Sequence, residues 1–235
     1  MKKPVHMVGS IAMANTEEVF TRLSETLGPY LKRIPDGETG VRSRWIFFQR
    51  EMLSEHPAIE EDDSVPSLDI TEWNGNLIRS LPVFRFKPGT DLDQVEFATG
   101  YDTAAIESYQ VFKSLRQDGI IKEDQRFQVC LPTPYSSAYM YMSHKVYDEY
   151  LEVYERSLIN ALNNILESIP HTDLSIQYDV CQEVLIFEDY FPNRPDDYKQ
   201  QIFTTLGRLG DAVPGDVELG YHPVSYTHLP SPRDA

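Results

Sequence analysis

Short apolar runs alternate with segments of helical period along most of this chain, and that rhythm constrains its fold more than any other feature. Strand-like runs fall at 5–11, 30–34, 82–87, 127–131, 174–179 and 217–222. Between them, helical spacing of apolar residues predicts helices over 16–27, 42–53, 104–117, 144–169 and 196–209. The first helix buries Val19, Phe20, Leu23 and Leu27 on one face. Asn15 or Thr16 caps it, with Glu17 and Glu18 favouring the positive end of its dipole. The longest helix carries an apolar stripe from Val146 through Tyr150, Tyr154, Leu158 and Leu162 to Ile169, which reads as core packing. Residues 54–80 break the rhythm: His56-Pro57, the acidic run at 60–63 and Val65-Pro66 read as a solvated excursion. Strands alternating with helices imply parallel sheet with right-handed crossovers.

No G-x-G-x-x-G follows the first strand and no P-loop sequence occurs, so the usual dinucleotide and nucleotide readings lose their support. With 37 acidic against 21 basic residues the net charge is −16, a field that repels phosphate backbones and argues against a nucleic-acid partner. No apolar run reaches the ~20 residues of a membrane span. The N-terminus lacks the apolar core of a secretory signal. Two cysteines, Cys130 and Cys181, make no disulfide framework. The expected setting is cytoplasmic, away from membranes.

An open doubly wound sheet satisfies the pattern, but the residues at the strand ends favour a (β/α)8 barrel of the TIM type, in which loops after the strands converge on one pocket. Those ends carry Ser10, Asp36 and Glu38, Lys87, Thr133, Asp179 with Glu183, and His222. Pro35-Asp36-Gly37 is also an ordinary turn sequence. Asp179 ends an apolar strand, where a carboxylate is costly unless it is paired or faces a cationic ligand. A lone histidine such as His222 is more often structural than a metal ligand, so the ring of polar ends carries the functional reading, not any one member.

Several stretches together resemble the cobalamin-independent methionine synthase family, within the superfamily that includes uroporphyrinogen decarboxylase. They are Val8-Gly9-Ser10, the run at 35–40 with Arg42 and Trp45-Ile46, Leu131-Pro132-Thr133-Pro134, the run at 177–183, and Glu218-Leu219-Gly220-Tyr221-His222. The resemblance implies the barrel fold and a zinc ion that holds a small-molecule thiol substrate as thiolate for attack on a methyl group carried by a folate. It matches His222 to the histidine of a His-x-Cys zinc pair, and Asp179 to an aspartate that receives the substrate's amino group. Ser10, Asp36, Glu38 and Glu183 join Asp179 as expected substrate-binding residues. The cysteine position of the zinc pair holds Val224, and the family's Asp-Glu-Pro-Ala run is replaced by Asp179-Val180-Cys181-Gln182. The zinc site is therefore expected to be incomplete here and completed only in a longer parent protein.

The expected organisation is one partial barrel over 1–222, about six of eight βα units, followed by a non-native or disordered tail at 223–235. That tail has three prolines, no helical period, and strings similar to translated adapter sequence. The leading functional expectation is zinc-dependent alkyl transfer to a thiol in the parent, with the fragment itself inactive. The alternatives are a metal-free decarboxylase or lyase and a non-catalytic small-molecule-binding barrel.

Overall fold

The computed structural model describes residues 3–72, 74–191 and 193–224. The expected tail lies mostly outside them. The first helix, α1 (Thr16–Leu27), forms where its pattern predicts: the Asn15 side chain accepts the Glu18 N–H at 2.9 Å, and Val19, Phe20 and Leu23 are buried. A short strand β1 (Arg33–Pro35) follows, and then the turn at 35–40. Within that turn Asp36 accepts the Glu38 N–H at 2.9 Å, and Gly37 has φ +79. A Cβ on Gly37 would also lie 2.6 Å from Val19, so both backbone and packing demand glycine there.

Instead of one helix over 42–53, the chain makes 3-10 turns over Gly40–Phe48, kinked at Arg44 and Trp45, and then α2 (Gln49–Glu55). The excursion that follows is ordered. β2 (Ile59–Glu61) pairs antiparallel with β5 (Phe84–Phe86), and β3 (Leu68–Thr71) pairs antiparallel with β4 (Leu77–Leu81). Next come α3 (Tyr101–Gln117), β6 (Arg126–Pro132), α4 (Pro134–Tyr141) and α5 (Tyr147–Ser168). β7 (Leu174–Val180), α6 (Gln182–Phe187), α7 (Tyr198–Asp211) and β8 (Glu218–Pro223) complete the order.

The main sheet is four-stranded and wholly parallel, in the order β1-β6-β7-β8, and the two antiparallel pairs stand apart from it. This corrects the barrel expectation: among the described residues the sheet is open, with β1 and β8 as its edges. Two of the six expected strands are missing from it, for separate reasons. The run at 82–87 supplies β5, which is taken by β2, while β1 bonds directly to β6 and leaves no slot between them. The run at 5–11 touches the sheet's edge through one bridge, Val5 to Leu31, and then lies across one face. Side chains hold it there in place of a backbone ladder. Gln128 donates to the Met7 carbonyl at 2.9 Å and Gln177 to the Val8 carbonyl at 2.8 Å.

The two sheet faces differ because side chains alternate along each strand. Phe127, Val129 and Leu131, with Leu174, Ile176 and Tyr178, point to the helices. Phe127 there sits edge-on to Phe20 of α1 at 5.9 Å and tilted against Phe112 of α3 at 5.6 Å, and the Tyr221 hydroxyl donates to Leu206 of α7. The opposite face carries Gln128 and Cys130 on β6, Gln177 and Asp179 on β7, and His222 on β8, in register with Asp179. The polar face, roofed by the N-terminal segment, is where chemistry can occur.

Candidate functional site

Each polar side chain reaches this face for a local reason. In β6 and β7 the polar residues fall at every second position of otherwise apolar strands, so the strand period delivers them together. Glu38 arrives from the turn after β1, with φ +50. Trp45, φ +51, faces the same cleft from the kinked 3-10 segment. Non-glycine residues in this region are held against their preference, and such strain gathers at functional sites. The cleft is bordered by Glu38, Arg42, Trp45, Tyr101, Cys130 and Asp179, and its interior space is about 10 Å³, room for one water-sized occupant.

A chain of contacts runs through it. The Ser10 hydroxyl donates to Glu38 Oε2 in a very short bond. The Glu38 and Asp179 carboxylates and the Cys130 thiol offer ligand atoms within 4.8 Å of one another, all from buried residues. Asp179 Oδ1 accepts from Gln177 Nε2 at 2.8 Å and meets His222 Nδ1 at 3.0 Å. Burial raises the pKa of Asp179, and the His222 and Gln177 bonds oppose that shift. Burial also pushes Glu38 up to about 7; the Ser10 bond lowers it, while the charges of Asp179 and Asp36 raise it further. Cys130 is likewise raised, by burial first and then by the Asp179 and Glu38 charges.

Of the expected site residues, Ser10, Glu38, Asp179 and His222 are thus brought together. Asp36 is adjacent but occupied: it accepts from Arg42 at 2.5 Å, from the Ser108 hydroxyl at 2.9 Å and from the Glu38 N–H, so it shapes the turn. Glu183 is elsewhere. It is buried beside Thr133, and its charge is felt by Tyr135 and Tyr139; neither carboxylate oxygen has a hydrogen-bond partner of normal geometry. Burial is the first cause of its pKa of about 7, and the Thr133 hydroxyl and the nearby Glu183 and Cys181 amides offset it only in part. Lys87 binds the Pro57 carbonyl, away from the cleft. Cys130, Gln128 and Gln177 were not among the expected residues, yet the polar-apolar alternation of Phe127-Gln128-Val129-Cys130-Leu131 already put two of them on one strand face.

The residues present do not fit the zinc site that the resemblance implies. His222 bonds Asp179 through Nδ1 and keeps Nε2, but Val224 stands at the cysteine position, so the pair is incomplete. Both cysteines are buried and neither forms a disulfide, and the three-ligand group among the described residues, Glu38, Cys130 and Asp179, does not include His222. A broader groove of about 900 Å³ lies on the other side of Phe48, with apolar walls from Phe47, Ile70 and Leu81 and three arginines, Arg44, Arg50 and Arg79. No described helix is long and apolar enough to cross a membrane. Comparison of the chain with protein-family models, with curated proteins and with solved structures gives no match.

Proposed function

We propose that this protein is an enzyme that transfers an alkyl group to a small thiol, with the reaction beside His222 at the mouth of the cleft on the polar sheet face. The observation that carries the reading is the convergence of Ser10, Glu38, Asp179 and His222 from four separate segments into one contact chain. With Nδ1–H donating to Asp179, His222 keeps Nε2 as the nitrogen able to accept a proton. That is the arrangement of a general base held in one tautomer by a carboxylate.

The atoms balance as follows. The thiol S–H proton passes to His222 Nε2, and the thiolate forms a bond to the alkyl carbon of an N-alkyl donor. The carbon–nitrogen bond breaks with its electron pair on nitrogen, and the proton returns from His222 to that nitrogen. A thioether and a secondary amine leave, and His222 is neutral again. Asp179 stabilises the transient imidazolium, so its part here is to hold His222, in place of the amine-anchoring role that the resemblance implies. The arginine-bearing groove has the size of a small-ligand pocket and suits an anionic, partly apolar donor.

A second reading, proton-transfer chemistry of the decarboxylase or lyase class, draws on Glu38, whose carboxyl group is held near 7, within reach of physiological pH. The two separate in one assay. Incubated with small thiols and an N-methyl donor, the protein is expected to form thioether, seen by mass spectrometry, and Asp179→Asn is expected to abolish most of it. Absence of thioether with carbon dioxide or eliminated product from carboxylic substrates would replace alkyl transfer by the second reading.

A further inference from the structure

We propose that Glu38, Cys130 and Asp179 form a binding site for a single divalent cation of the zinc type, a donor set different from the His-x-Cys pair that the resemblance implies. The inference deepens the thiol reading of the cleft and rests on it for its role, though not for its test. Three features of the geometry carry it. First, the donors come from three distant segments of the sequence, the turn after β1 and the ends of β6 and β7, and their atoms lie within 4.8 Å of one another. An ion with bonds of about 2.0 to 2.3 Å sets tetrahedral donors roughly 3.5 Å apart, so movements of about an ångström close the cage.

Second, each donor is oriented by a neighbour that leaves it a lone pair to offer. Ser10 engages Oε2 of Glu38, and Gln177 and His222 both engage Oδ1 of Asp179, so each carboxylate has a second oxygen to turn to an ion. The sulfur of Cys130 is approached by the Nε2 amides of Gln128 and Gln177, both at 3.5 Å, and its own S–H is directed to the Val8 carbonyl at 3.6 Å, so an ion would bind by displacing that proton. Third, the space the donors border, about 10 Å³, holds one water-sized body, too small for an organic substrate and right for an ion.

One thiolate with two carboxylates mixes soft and hard donors, which suits zinc and its cobalt surrogate better than magnesium or calcium, both of which prefer all-oxygen shells. Three protein ligands leave a fourth position, and a substrate thiol on that position would stand beside His222. Gly9 permits the close roof over this site: a Cβ there would sit 3.2 Å from Cys130 Sγ at φ +140.

The test is titration of the metal-free full chain with cobalt(II). We expect one equivalent to bind, with a near-ultraviolet thiolate-to-cobalt charge-transfer band. The band should vanish in Cys130→Ser and persist in Cys181→Ser. Glu38→Gln should weaken binding at least about tenfold while keeping the band, which guards against misfolding of the cysteine variant. No saturable binding, or a band that survives in Cys130→Ser, would overturn the site. Thioether formation that depends on His222 but not on metal would leave the thiol reading standing without the ion; metal bound without any thioether formed would do the reverse.

Discussion

Alkyl transfer to a thiol is expected to slow by about 10²- to 10⁴-fold when His222 is replaced by glutamine, the range by which a positioned general base accelerates proton transfer. Glutamine can still meet Asp179 but cannot take up the thiol proton, so the geometry survives while the chemistry is lost. The loss should fall on kcat, with KM changed far less, because the thiol's remaining contacts stay in place. It should also shrink as the pH is raised through the pKa of the thiol itself, where the substrate arrives already deprotonated and no base is needed. Stopped assays of thioether formation for wild type and His222→Gln over pH 6 to 10 check both features. A uniform loss at every pH would make His222 a structural residue instead of a base.

Glu183→Gln is expected to stabilise the protein by about 3 kcal/mol at pH 8 and to change it little at pH 4. The carboxyl group is fully enclosed, and its folded pKa of about 7 stands above the ordinary 4.5. Because the folded state holds this proton more tightly than the unfolded chain, the group's stabilising contribution is complete below about 4.5. It is lost progressively as pH rises to about 7, at ~1.4 kcal/mol per unit. The neutral amide removes that slope with nearly the same volume. Glu38 contributes a slope of the same sign, so the quantity to measure is the difference between the wild type and the variant in urea unfolding at several pH values. A difference independent of pH would mean that Glu183 finds a partner when it ionises.

Much of the local structure was legible in the sequence. The helix at 16–27 was readable because a cap, first-turn acids and apolar spacing agree at one place. Four of the six expected strands joined one parallel sheet because their apolar runs are bounded by turns and separated by helices. What the pattern could not convey was partnership. The strand at 82–87 was right as a local preference, yet its hydrogen bonds go to β2, inside a segment whose acidic run and prolines hid two antiparallel pairings. The run at 5–11 has strand composition, but two glutamine side chains from distant strands claim its carbonyls. Closure into a barrel depends on just such long-range choices, and strand-end polarity is common to open and closed parallel sheets.

The site followed the same division. Ser10, Glu38, Asp179 and His222 were identifiable as polar residues that end apolar strands or follow them. Asp36 shared their position but closes the turn through Arg42 and Ser108, partners that lie 6 and 72 residues away. Glu183 shared their neighbourhood in sequence, but the helix α6 turns it into the protein interior. Cys130 was visible only through strand alternation, which places it beside Gln128 on the polar face.

On the proposed reaction, a thiol binds against His222 at the mouth of the cleft. Imidazole resonances of the histidines, recorded while a turnover-competent thiol is titrated in, test it most directly. The His222 signals are expected to move to saturation with the thiol, with His56, His144 and His171 unmoved. Saturable thiol binding that shifts one of those three and leaves His222 where it was would contradict it.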